Sequence, residues 1–209
     1  MKHLIVLTLS LFLVAPAFPQ DPNASAPPCL VGQKLEFRYD DGGSFSRVIA
    51  SREGDLCVVG DSRKSYYDKD WVLVKVVEPD GKTITSALPT HPDIGEKWLP
   101  FPLTVGKTWK TQVEGPSAER GRITTYNNQF SVLTYEELTV PAGTFKTFKI
   151  KHEQENFRSG SRRWGARYFW YAPDVGYYVK RYWAVNESVD KYFWQTVRDY
   201  ELVSVSRPN

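Results

Sequence analysis

From Gln33 onward the chain is written in short runs of alternating apolar and polar residues, each broken by glycine or proline. No window of about twelve residues beyond the N-terminal apolar segment carries a helical stripe, so the side chains can share a face only with the period-two geometry of strands. Leu35, Phe37 and Tyr39 alternate with Lys34, Glu36 and Arg38, and Asp40-Asp41-Gly42-Gly43 then turns the chain toward Phe45–Ala50. That pattern is a hairpin. A second one places Trp71–Val77 against Thr83–Ala87 around Glu78-Pro79-Asp80-Gly81, where proline pre-sets one turn torsion and glycine takes the left-handed one.

Between Ala87 and Thr108 the prolines of Leu88-Pro89-Thr90-His91-Pro92 and Leu99-Pro100-Phe101-Pro102 forbid a central strand, because each lacks a ladder donor. Residues 88–103 therefore read as a connector that divides one sheet into two halves or joins two lobes. Beyond it, Thr108–Val113, Gln129–Glu137, Thr144–Asn156, Arg162–Ala172, Tyr177–Val185 and Tyr192–Val205 read as strands, with a short helix expected at most near Ser62–Asp70. The expected fold is all-β. It is a single curved antiparallel sheet of about ten strands, half-barrel or barrel-like, over residues 33–209. With 11 Phe, 12 Tyr and 7 Trp, the chain is too rich in rings for disorder, a collagen-like repeat or a coiled coil.

Residues 1–20 read as a cleaved secretory signal peptide: Lys2, an apolar run from Leu4 to Val14, then Ala15-Pro16-Ala17. An apolar core of about eleven residues is too short to span roughly 30 Å of hydrocarbon, and the mature chain carries no transmembrane segment by the same test. The expected location is periplasmic or secreted. Residues 21–32, rich in Pro, Ala and Ser, read as a flexible leader. In an oxidising compartment Cys29 and Cys57, the two cysteines of the chain, are expected to form a disulfide with each other. Closing that loop stabilises the fold by about 3.5 kcal/mol in the chain-entropy model. The formal charge is +3 and falls to +2 once Lys2 leaves with the signal, which argues against nucleic acid as a partner.

Two motifs stand out: Val140-Pro141-Ala142-Gly143-Thr144-Phe145 and Trp170-Tyr171-Ala172-Pro173-Asp174-Val175-Gly176. With Leu99-Pro100-Phe101-Pro102-Leu103 ahead of Gly106-Lys107-Thr108-Trp109, they resemble a domain-of-unknown-function group of bacterial exported or lipoprotein-like β proteins, over roughly residues 98–185. The resemblance implies an exported β fold and names no active residue. Asp174 stands where that pattern commonly has glycine, and no lipobox cysteine follows the apolar core. Read from the residues, both motifs are tight β connections whose prolines and glycines meet the turn geometry.

Candidate chemistry is sparse. Gly60-Asp61-Ser62 superficially resembles an esterase nucleophile block, yet no Asp and His pair follows near the C-terminus, so it reads as a polar loop. No cysteine, histidine or acidic grouping has metal spacing, and no cofactor motif occurs. In the strand around His152, Phe148, Ile150, His152 and Gln154 share one face while Lys149, Lys151, Glu153 and Glu155 share the other. Either that strand emerges into solvent at its polar end, or His152 marks the mouth of a pocket floored by Phe148 and Ile150. Residues 164–200 contain thirteen aromatics interleaved with Arg and Lys. Trp164, Tyr168 and Trp170 form an aromatic face that Trp183 and Trp194 extend, and the choice lies between a packed aromatic core and an uncovered concave surface for a ligand. The leading expectation is a non-enzymatic binder of a lipid, acyl chain or other amphipathic ligand, or of an envelope protein. The runner-up is an assembly factor that pairs a sheet edge with a partner protein, and a hydrolase comes third.

Overall fold

The computed structural model describes residues 22–87, 93–116, 123–158, 161–184 and 198–208. Among them the chain forms fourteen strands and no helix. One meander runs through β2 (Lys34–Tyr39), β3 (Ser44–Glu53), β4 (Leu56–Val59), β5 (Lys64–Tyr67), β6 (Leu73–Val77) and β7 (Thr83–Ile84). A second runs through β9 (Thr108–Pro116), β10 (Ile123–Val140), β11 (Gly143–Arg158), β12 (Ser161–Ala172) and β13 (Tyr177–Trp183). The last strand, β14 (Tyr200–Ser206), lies between the two meanders and pairs with β13 on one side and β2 on the other. The result is one twelve-stranded antiparallel sheet that ends in β7 and β9 and does not close into a barrel.

The turn chemistry matches the sequence. Asp41 Oδ1 accepts from Gly43 N at 3.0 Å between β2 and β3, and Asp80 Oδ1 accepts from Lys82 N at 2.9 Å between β6 and β7. Val140 pairs with Gly143, so Pro141-Ala142 is a two-residue connection between β10 and β11. The helix expected near Ser62–Asp70 is instead strand β5, bonded to β4 and β6 on both sides. Tyr66 and Tyr67 are strand-favouring residues, and two flanking ladders outweigh a weak helical tendency.

Residues 22–32 are not loose. Asn23–Ala24 form β1, which pairs with β8 (Leu103–Thr104), and Trp71 Nε1 donates to the Pro27 carbonyl at 2.6 Å. The disulfide between Cys29 and Cys57 is formed, tying this strap to β4. The connector is likewise packed down. Among its described residues, which run in turns and bends, Trp98, Leu99 and Phe101 lie on the buried cluster of Leu103, Phe130, Phe148, Ile150 and Tyr171. Lys107 Nζ holds it there by donating to the carbonyls of Pro100 and Pro102, the latter at 2.6 Å. The side of the sheet that carries Phe148 and Ile150 is therefore covered by the strap and the connector in place of helices.

The ladder between β13 and β14 spans two residue pairs, Lys180 with Glu201 and Arg181 with Tyr200. Beside this short junction lies a core of Leu35, Phe37, Val140, Trp170, Val175, Val179 and Leu202. Gln33 Nε2 donates to Val175 O at 3.0 Å, and Ala142 N to Leu202 O at 3.1 Å, so both turn motifs are built into the junction.

Candidate functional site

The register separates the residues grouped by sequence. Directly opposed residues of an antiparallel ladder share a face. Ile150 opposes Phe169 and His152 opposes Arg167, whereas Trp164 opposes Glu155, Tyr168 opposes Lys151 and Trp170 opposes Lys149. Phe148, Ile150 and His152 therefore lie on one side of the sheet, and Trp164, Tyr168 and Trp170 on the other. Phe148 and Ile150 are wholly buried, which makes them core and not the floor of an open pocket. Trp170 Nε1 donates to Glu136 Oε1 at 2.9 Å, and Lys149 rides over Tyr168 and Trp170 at 5.1 and 5.3 Å, a cation–π arrangement on the charged face. Trp183 opposes Arg167 and so shares the His152 side. His91, Trp194 and residues 1–20 lie outside the described residues.

His152 is the centre of a stacked row. Trp109 lies on Phe130 with ring centroids 4.9 Å apart, Phe130 on His152 at 4.2 Å, and Arg167 Nε donates to His152 Nδ1 at 2.9 Å. Because a guanidinium only donates, Nδ1 accepts and the ring proton resides on Nε2, which donates to Asn128 Oδ1 at 2.8 Å. Gln154 Nε2 reaches the same oxygen at 2.7 Å. Burial, and then the Arg167 charge, hold the imidazole pKa well below its usual value. Burial likewise lowers Arg167 to about 10, with the Arg181 charge adding to it. Both His152 nitrogens are engaged and the ring is out of solvent, while Ser62 is exposed at the β4–β5 connection. The two do not meet as base and nucleophile. Glu153 lies 3.4 Å from Lys151 in an ion pair.

Trp164, Glu153 and Glu155 line a polar hollow with Lys110 and Asn128, and an aromatic hollow lies between the strap, the connector and the junction of the two meanders. A cavity of about 200 Å³ is lined by Tyr67 of β5, Trp71, the connector residues Trp98 and Phe101, Tyr171 of β12, and Tyr177 and Tyr178 of β13. A smaller cavity of about 130 Å³ adjoins it, and the two share Pro27, Arg47, Trp71, Gly176 and Tyr177 as lining. Together they fall at the low end of small-molecule sites, which run from about 300 Å³ upward.

Local sequence explains this wall. Gly176 closes the second turn motif at φ +72°, and a Cβ there would come within 2.9 Å of Pro27 Cβ, so the strap reaches the turn because glycine is there. Trp71 holds a left-handed φ of 59°. Asp68 secures it: the Asp68 carboxylate accepts from the N–H groups of Asp70 and Val72, each at 2.9 Å, and its carbonyl accepts from Trp71 N at 3.0 Å. A non-glycine residue in this region costs on the order of 1–3 kcal/mol, and strain of that kind concentrates at binding and active sites.

Polar groups punctuate the rings. The Arg47 guanidinium lies 4.3 Å over Tyr177 and 5.5 Å from both the Tyr67 and Trp71 rings. Among the described residues it makes neither an ion pair nor a hydrogen bond to an acid. The Tyr171 hydroxyl and the Trp98 indole N–H are buried and without a hydrogen-bond partner among the described residues. Burial raises the hydroxyl pKa values of Tyr171, Tyr177 and Tyr178, so all three remain protonated donors. Burial, and then Asp93, raise the Glu96 carboxyl pKa where the connector lines the larger cavity.

Sequence reasoning passed over this site. One readable signal was Arg47, which alternates with Phe45 and Ile49 on the apolar side of β3 and opposes Leu35. An arginine on an inward-facing position needs a partner, and here that partner is a set of rings.

Comparison with known proteins finds no match among curated proteins. Three solved structures align over most of the chain. The hypothetical lipoprotein YmcC from Escherichia coli K12 is 14% identical with a TM-score of 0.48, over 87% of this chain and 90% of that one. A candidate lipoprotein from Parabacteroides distasonis is 15% identical with a TM-score of 0.46, over 88% and 99%. A Bacteroides fragilis protein with a YmcC-like fold is 17% identical with a TM-score of 0.38, over 88% and 100%. Residues 107–189, which span β9 to β13, match a family model described as DUF3108-like, so the second meander is the part of this chain that is similar to that family.

Proposed function

We propose that this chain is an exported binding protein, periplasmic or secreted, whose cavity between strap, connector and sheet takes an apolar or amphipathic small molecule. The N-terminal signal-like segment and the Cys29–Cys57 disulfide support export. One observation carries the binding reading: Phe130, Phe148 and Phe169 are buried in a packed cluster, while Trp71, Trp98 and Tyr171 line a hollow where the Trp98 N–H and the Tyr171 hydroxyl are buried without a partner among the described residues. An unpartnered buried donor costs about 1–3 kcal/mol, and a ligand that accepts from Tyr171 or Trp98 recovers part of it.

The test is fluorescence titration with the neutral apolar probe N-phenyl-1-naphthylamine, on the wild type and on Leu99→Trp, which fills the larger cavity. Saturable binding to the wild type, weakened roughly tenfold or more in the filled variant at equal thermal stability, is expected. No saturable binding, or equal affinity in both proteins, overturns the reading.

A second reading rests on β9. This nine-residue strand ends the sheet and pairs on one side with β10. An edge of that length can accept a strand from a partner protein, the mode expected of an assembly factor.

A further inference from the structure

Resting on that binding reading, we propose that the ligand is a single-chain amphiphile whose anionic group, a carboxylate, is held by Arg47 while its apolar chain fills the larger aromatic chamber. Three observations combine. The Arg47 guanidinium lies 4.3 Å over the Tyr177 ring, a contact that uses none of its N–H donors for a hydrogen bond, and a guanidinium fork can grip a carboxylate with two parallel bonds. No acid among the described residues takes those donors, unlike Arg198, which pairs with Asp41 at 3.1 Å, or Lys180, which pairs with Glu201 at 2.6 Å. Arg47 lines both chambers, with Asp93 and Glu96 along the larger and Asp174 along the smaller. The larger chamber carries most of the rings, which suits the apolar chain, and Arg47 belongs to the lining of both.

Size narrows the class further. Chambers of about 130 and about 200 Å³ suit one chain better than the paired chains of a membrane phospholipid. The rings that hold Arg47 are positioned independently of any ligand: Trp71 by Asp68 and the Pro27 carbonyl, and Tyr177 by its place at the start of β13. The cation is thus pre-oriented, which reduces the ordering cost of binding.

The experiment compares decanoate, 1-decanol and decyl phosphate by calorimetric titration against the wild type, Arg47→Met and Arg47→Lys. Decanoate is expected to bind the wild type roughly tenfold or more tightly than decanol, the scale of one charge-assisted hydrogen bond. Arg47→Met should erase that preference and leave decanol affinity within about threefold. Arg47→Lys, which keeps the charge but not the planar fork, should retain only part of it. Equal binding of decanoate and decanol by the wild type overturns the anion assignment and leaves the binding reading intact, and a preference for decyl phosphate over decanoate overturns the carboxylate. If no probe binds, the cavity reading itself fails. The wild-type comparison among the three probes decides the matter even if an Arg47 variant does not fold.

Discussion

Acidification should destabilise this protein through His152, and the size of the effect follows from its contacts. In the folded chain the imidazole is neutral, with Nδ1 accepting from Arg167 and Nε2 donating to Asn128. Protonation would convert Nδ1 into a second donor facing the Arg167 Nε–H at 2.9 Å, inside a stack between Phe130 and Phe169. In the unfolded chain the same ring titrates freely near pH 6.5. The folded pKa is therefore the lower of the two. The stability it represents is fully present above about pH 6.5 and is lost as the pH falls from there toward and through the folded value. The slope is about 1.4 kcal/mol per pH unit, so between pH 8 and pH 5 the loss has an upper bound of about 2 kcal/mol, or about 4–8 °C in Tm. Urea unfolding of the wild type and His152→Gln at several pH values isolates this contribution, because other titrating groups cancel in the difference. The variant should be less stable at pH 8, and the gap should narrow steadily below pH 6.5. A gap that stays constant from pH 7.5 to 5 refutes the reasoning.

Two further perturbations test the strap. Gly176→Ala forces a side chain into left-handed backbone and against Pro27, so unfolding should lose about 1–3 kcal/mol and the probe affinity of the cavity should fall with it; an unchanged melting temperature would contradict the close approach. Reducing the Cys29–Cys57 bond, or replacing both residues by serine, should cost about 3.5 kcal/mol, because it frees a loop of sequence separation 28; equal denaturant midpoints with and without reductant would count against a strap held by the crosslink.

Much of the architecture was legible in the sequence because its causes are local. Period-two alternation marks the strands. Gly81 after Pro79 and Gly143 after Pro141 mark the connections, and an exported context pairs the two cysteines. The missed β5 shows the limit even there: Lys64–Tyr67 is too short to declare a period, and it is a strand because β4 and β6 flank it.

The candidate site is another matter. Alternation determines that Phe148, Ile150 and His152 share a side, but not that Trp170 faces away from them. That depends on how β12 registers against β11, a property of the pair and of neither strand alone. Nor can proline-rich composition disclose that the connector lies over the rings, or that residue 27 abuts residue 176. The amino-acid order determined an export-type, disulfide-bearing, helix-poor chain of aromatic strands. Tertiary structure alone decided which rings are filled and which enclose space, because a cavity exists only where segments distant along the chain, here around Pro27, Arg47, Trp71, Trp98 and Tyr177, meet without completing the packing between them.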